Sequence, residues 1–261
     1  MSSNIHHAAA GGYATAAASY VKGRPDYPPE VSAWLKDSLG LGPGATVLDL
    51  GAGTGKFTPR LLDTGATVIA VEPVPAMLAT LSATLPQVQA LAGTATAIPL
   101  PDASVDAVVC AQAFHWFATS AALDEILRVL KPGGRLGLVW NLRDASVPWV
   151  ASLDAIVNRV EGDTPRYYTG AWRHVFPHAG LTHLQETQFS QEHTGTAEDV
   201  LFNRVRSTSF IAALPPQERQ RIDDEIRQMI ASEPALRGQD SISVPYRTAA
   251  FVAQKAASAG I

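Results

Sequence analysis

Residues Thr46 to Phe57 read TVLDLGAGTGKF, an apolar strand that runs into a glycine-rich turn and then a helix. Val47, Leu48 and Leu50 supply the run expected of a buried strand, Asp49 closes it, and Gly51, Gly53 and Gly55 alternate through the turn. A turn without side chains lets a ligand lie against the backbone. Roughly twenty residues downstream a second apolar strand, Thr67 to Val71, ends in Glu72, the place where an acid meets a ribose in nucleotide-binding α/β folds. Together the two strands point to an enzyme with a nucleotide-like cofactor.

The glycine spacing and Asp49 narrow that cofactor. A dinucleotide fingerprint is G-x-G-x-x-G, which rests a pyrophosphate on the N-terminus of the following helix. Here the spacing is G-x-G-x-G, and Lys56 stands where the fingerprint would end. An acid just before the glycines repels a pyrophosphate but suits an ammonium group. S-adenosylmethionine carries an ammonium, a sulfonium and no phosphate. NAD(P), as in a reductase, or a purely structural turn with a satisfied strand-end Asp are the alternatives.

At 261 residues, with 46% hydrophobic and 17% charged residues, the chain suits one large domain with a substantial core. A net charge of -4 without a long basic run argues against a nucleic-acid partner and fits a small-molecule substrate. Cys110 is the only cysteine, which excludes an internal disulfide and a cysteine metal cluster, and its neighbours VDAVVCAQ make it a strand residue. His6 and His7 lack further ligands, so no metal is expected. No signal-peptide pattern or membrane-length apolar run occurs, and a cytoplasmic protein, monomer or homodimer, is the expectation.

The expected organisation is a disordered tail over 1–12 and a single domain over 13–261, with a helical cap at 13–45, a cofactor-binding core at 46–141, and substrate-covering helices with the last two strands at 142–261. Helices are expected over 13–21, 31–39, 56–63, 74–85, 120–130, 149–160, 197–206 and 216–231, and further strands over 88–91, 105–110, 135–140, 181–193 and 241–253. KPGG, Lys131 to Gly134, reads as the turn into the fifth strand. The segment from Tyr20 to Pro28, Y-x-x-x-R-P-x-Y-P, either folds over the pocket with Arg24 and a tyrosine facing the ligand, or packs at the surface.

The string D-L-G-A-G-T-G with its acid at Glu72 resembles the first two motifs of the class I S-adenosylmethionine-dependent methyltransferases. L-R-V-L-K-P-G-G-R-L matches the family as well. R-P-x-Y-P near the N-terminus and H-W-F after the fourth strand are similar to trans-aconitate methyltransferase and related small-molecule enzymes of the methyltransferase type 11 group. The resemblance covers Tyr13 to about Trp140 and implies a Rossmann-like fold: a seven-stranded, mostly parallel sheet of order 3-2-1-4-5-7-6, an antiparallel last strand, helices on both faces and a helical cover. It implies that Asp49 and the turn, Gly51, Ala52, Gly53 and Gly55, hold the methionine portion and Glu72 the ribose. Pro73 and Met77 would flank the adenine, although Met77 suits the core equally. Thr94 replaces the acid that often meets the adenine amino group, and Ala95 would offer its N–H to the ring. Tyr20 and Arg24 would close over the cofactor.

Gln112, His115 and Trp116 follow the fourth strand, at the end of the sheet where ligands bind. Three roles stand open for His115: a base toward a phenol or alcohol, a donor toward a carboxylate, or a structural residue. The expected activity is methylation of a small molecule at oxygen, a carboxylate being one option, with a non-catalytic S-adenosylmethionine-binding module as the alternative. Arg24, Arg143, Arg166, Arg173 and Arg206 are unranked candidates to meet an acidic substrate.

Overall fold

A computed structural model describes residues 24–256. The tail over 1–12, the helix expected over 13–21 and Tyr20 lie outside the described residues. Seven strands, β1 (Thr46–Leu50), β2 (Thr67–Glu72), β3 (Gln89–Ala92), β4 (Val105–Ala111), β5 (Leu130–Arg143), β6 (Gln185–Gly195) and β7 (Ile242–Gln254), form one sheet of order β3-β2-β1-β4-β5-β7-β6. β1 to β5 pair in parallel, whereas β7 runs antiparallel to both β5 and β6. The expected order is therefore the observed one.

Parallel strands covered on both faces read as continuous apolar runs, which is why VLDL, TVIAVE and VDAVVCA are almost wholly buried. Helix α1 (Glu30–Leu39) buries Val31, Trp34, Leu35 and Leu39 and stops at Gly40, whose φ of 69° ends it in the left-handed region. On that face lie also α2 (Thr58–Leu62) and α3 (Pro75–Thr84), which packs Leu81 beside Leu61. Helix α4 (Ser120–Val129), capped by the Thr119 hydroxyl on the Ala122 N–H, covers the opposite face with Leu123 and Ile126. A separate apolar cluster joins α5 (Pro148–Asn158), a π-helical turn at Glu198–Asn203, α6 (Arg204–Arg206), α7 (Ser209–Ala212) and α8 (Pro216–Ser232) to the start of β7. The start of β7 pairs with the end of β5, so this cluster adjoins the carboxyl end of the parallel strands.

Three expectations need correction. Lys131 to Gly134 is a bulge inside β5, because Val105 pairs with Leu130 while Ala107 pairs with Arg135. Lys131 anchors the bulge on both Asp106 oxygens, at 2.9 and 2.8 Å. The first helix after the glycine turn starts at Thr58, two residues late, since the Thr58 hydroxyl is held by Asp49. The sixth strand starts at Gln185, and Leu181 makes only an isolated bridge to Lys255.

Candidate active site

The carboxyl ends of β1, β2, β4 and β5 open into a cleft of about 600 Å³. Its floor is the glycine turn, tied to β2 by the Gly51 N–H on the Val71 carbonyl at 2.8 Å. Gly51 has a φ of 73°, and a Cβ there would lie 2.8 Å from that of Ala113, so the turn needs glycine on both counts.

Two acids face this turn. Glu72 accepts the Gly53 N–H on Oε2 and the Val74 N–H on Oε1, each at 2.9 Å, which leaves a second lone pair on each oxygen. Asp49 is 1% exposed; its Oδ2 accepts the Thr58 hydroxyl at 2.7 Å, while Oδ1 is buried without a partner. Burial pushes the Asp49 carboxyl up to about 7, against the Thr58 bond and with help from Glu72. A buried acceptor with no donor is costly unless a ligand completes it.

A smaller chamber of about 80 Å³ shares Arg24, Gln112, Trp116, Asn141 and Arg204 with the cleft wall. His115 enters it from a 3₁₀ turn, Phe114–Trp116. The buried Trp140 indole N–H donates to His115 Nδ1 at 3.0 Å, so the proton of the neutral ring sits on Nε2. Burial, with the Arg166 and Arg24 guanidiniums adding to it, pulls His115 down to about 3. The imidazole is therefore a neutral N–H donor at pH 7.

Arginines dominate the rest of the chamber. Arg143, 6% exposed, bonds Asp154 Oδ1 through Nε at 2.7 Å, and Arg166 bonds Glu161 at 3.2 Å. Arg204 donates to the Thr208 hydroxyl at 3.2 Å, and Arg24 to the Ser207 carbonyl at 3.3 Å. Burial lowers Arg204 to about 10 despite Tyr246, with Arg24, Arg143 and Arg166 acting in the same direction as burial.

Comparison with known proteins places this geometry. Residues 48–138 match the family described as "Methyltransferase domain". An uncharacterized methyltransferase-like protein of Schizosaccharomyces pombe is 41% identical over 244 residues, covering 93% of this chain and 95% of that one. The chain belongs to the class I S-adenosylmethionine-dependent methyltransferases. An uncharacterized methyltransferase of Mycobacterium tuberculosis is 44% identical over 236 residues, covering 90% of this chain and 92% of its own. A candidate type II methyltransferase from Anaeromyxobacter dehalogenans shares the fold at a TM-score of 0.65 and 22% identity, covering 89% of this chain and 97% of that chain. None of these named relatives is a trans-aconitate methyltransferase.

In this methyltransferase, Arg24, Asp49, Gly51, Ala52, Gly53, Glu72, Pro73, Met77, Thr94, Ala95, Gln112 and Trp116 all line the cleft. Gly55 does not; it is buried against α3, where a Cβ would meet Leu85 at 2.9 Å, and its glycine serves packing. His115 lines the chamber and not the cleft. Arg173 lies over the Trp172 ring at 4.4 Å and Arg206 pairs with Asp223 and Glu198, so neither reaches the chamber. Sequence reasoning missed Arg204, Tyr246 and Asn141, and only Asn141 carried a signal, standing near the end of β5. No group of three His, Cys, Asp or Glu suited to a metal occurs among the described residues, and none of their helices is long and apolar enough to cross a membrane.

Proposed function

We propose that the enzyme methylates a carboxylate oxygen of a small acidic molecule. The methyl donor of the family is S-adenosylmethionine, and the buried, unpartnered Asp49 Oδ1 fits its ammonium group. Glu72 retains lone pairs for the two ribose hydroxyls, and Thr94, Ala95, Pro73 and Met77 form the wall on which the adenine would lie. When bound, S-adenosylmethionine supplies a methyl carbon on a sulfonium, whose departure as a neutral thioether takes the C–S bonding pair.

His115 carries the choice of acceptor. With a ring held down to about 3, taking a proton from a phenol of ordinary pKa about 10 is uphill by roughly 10 kcal/mol. Nδ1 already accepts from Trp140, so the ring offers Nε2–H and no vacant lone pair. A carboxylate needs no base: its oxygen makes the new O–C bond with its own pair, and no proton moves. His115 and Gln112 then orient the acceptor, while the arginines hold its charge.

Labelled cofactor offered to panels of small carboxylic acids, phenols and amines tests this directly. Label is expected in base-labile esters. Transfer to phenols or amines with every acid silent refutes the carboxylate.

A further inference from the structure

Among the described residues, Arg143 Nη1 and Arg204 Nε in the chamber wall, and Tyr246 Oη in the wall of the adjoining cleft, lack a hydrogen-bond partner. They come from three elements far apart in sequence. Arg143 and Tyr246 are register partners across β5 and β7, and Arg204 stands on α6 in the wall of both cavities. Arg143 and Tyr246 are only 6% and 2% exposed, so these atoms stand away from bulk solvent. All three are donors, and a buried donor without an acceptor costs about 1–3 kcal/mol. One convergent set of unsatisfied donors calls for a shared acceptor.

The charges point the same way. Arg143 is balanced by Asp154 and Arg166 by Glu161, whereas the hydrogen bond from Arg204 goes to an uncharged hydroxyl. Among the described residues, no Asp or Glu lines the chamber. Its 80 Å³ is the space of two or three waters, room for one carboxylate-sized group and too little for a ring.

We propose that Arg143, Arg204 and Tyr246 form a subsite for a second anionic group of the methyl acceptor, which makes the substrate a small acid with two anionic groups. This rests on the carboxylate acceptor proposed above. One anionic group occupies the chamber, where the guanidiniums and the His115 N–H hold it ionised; the other lies where the chamber meets the cleft, beside Gln112 and Trp116, and receives the methyl. Carboxylate and phosphate share the required chemistry, since each presents several acceptor oxygens to an arginine fork.

Calorimetry with the protein saturated in S-adenosylhomocysteine tests the subsite without turnover. The probes are straight-chain dicarboxylates of four to six carbons, the monocarboxylates of the same lengths, and phosphono-carboxylates of matched span. A dicarboxylate or phosphono-carboxylate is expected to bind about 10- to 100-fold more tightly than its monocarboxylate, the effect of one or two charged hydrogen bonds. Arg204→Gln and Tyr246→Phe are each expected to erase most of that ratio, with unfolding transitions confirming that both variants fold. A phosphono-carboxylate preferred over the dicarboxylates upholds the subsite and names its group as phosphate-like. Monocarboxylates that bind and turn over as well as dicarboxylates overturn the subsite and leave the carboxylate acceptor standing. Turnover of phenols or amines with no acid bound overturns both.

Discussion

Replacing Asp49 by Asn separates what this acid does for the fold from what it does for the ligand. In the free protein burial raises its carboxyl from an ordinary 3.8 to about 7, a difference worth roughly 4 kcal/mol. Because the folded value is the higher one, this group's contribution to stability is complete below about pH 4 and is lost as pH rises through 7. Asn is a neutral mimic that keeps an acceptor for Thr58 but sets an amide donor in place of the unpartnered oxygen, at a cost of about 1–3 kcal/mol. Asp49→Asn is therefore expected to be about 1–3 kcal/mol more stable than wild type at pH 8, and to lose that advantage by pH 4. Ligand binding runs the other way. A cationic ammonium favours the ionised carboxylate, so wild-type affinity for S-adenosylmethionine should fall about tenfold from pH 8 to pH 6, with close to one proton released per cofactor at pH 6. Urea melts at pH 4 and 8, with calorimetry in two buffers of different ionisation enthalpy, give both quantities. Equal wild-type affinity at pH 6 and 8 with no proton release would refute the assignment of Asp49 to the ammonium.

Other substitutions probe the remaining parts. In Trp140→Phe, His115 Nδ1 loses its donor, so nitrogen NMR of the labelled ring should show the Nε2–H tautomer giving way to a mixture, with kcat/KM down about tenfold; an unchanged tautomer would mean that Trp140 does not position the ring. Asp154→Asn leaves the buried Arg143 charge without its counterion and should cost about 3–5 kcal/mol in a urea melt; a loss below 1 kcal/mol contradicts the buried pair. Glu72→Gln puts an NH₂ against a backbone N–H at Gly53 or Val74 and removes an acceptor from the proposed ribose contact, so cofactor affinity should drop about 10- to 100-fold. Affinity within twofold of wild type would release Glu72 from that role.

The half of the cleft proposed to hold the cofactor was legible because its signals are local. Asp49, Gly51 and Gly53 lie within one strand and its turn, Glu72 ends the neighbouring strand, and β1 pairs directly with β2. The same local signal misassigned Gly55, because alternation of glycines does not say which one meets ligand and which meets Leu85. The role of His115 was not local at all. Trp140, 25 residues away, decides which ring nitrogen bears the proton, and that contact depends on the pairing of β4 with β5. The arginines were ranked only by three-dimensional placement: Arg206, two residues beyond Arg204, turns to Asp223 on α8 while Arg204 stays in the chamber wall.

Asn141 shows how the local and non-local halves become one site. Its carbonyl accepts from Gln112 Nε2 at 2.8 Å, its side-chain amide donates to the Asp26 carbonyl at 3.1 Å, and its Oδ1 accepts the Thr248 hydroxyl from β7. One buried residue at the end of β5 thus joins the turn after β4 through its carbonyl, and the segment carrying Arg24 and the strand carrying Tyr246 through its side chain. The antiparallel β7 is what makes this possible, since its reversed direction brings Tyr246 opposite Arg143 at the same end of the sheet as Asp49 and Glu72. A parallel last strand would have sent that residue to the opposite end, away from the cofactor cleft. The chamber therefore stands beside the cleft for a topological reason.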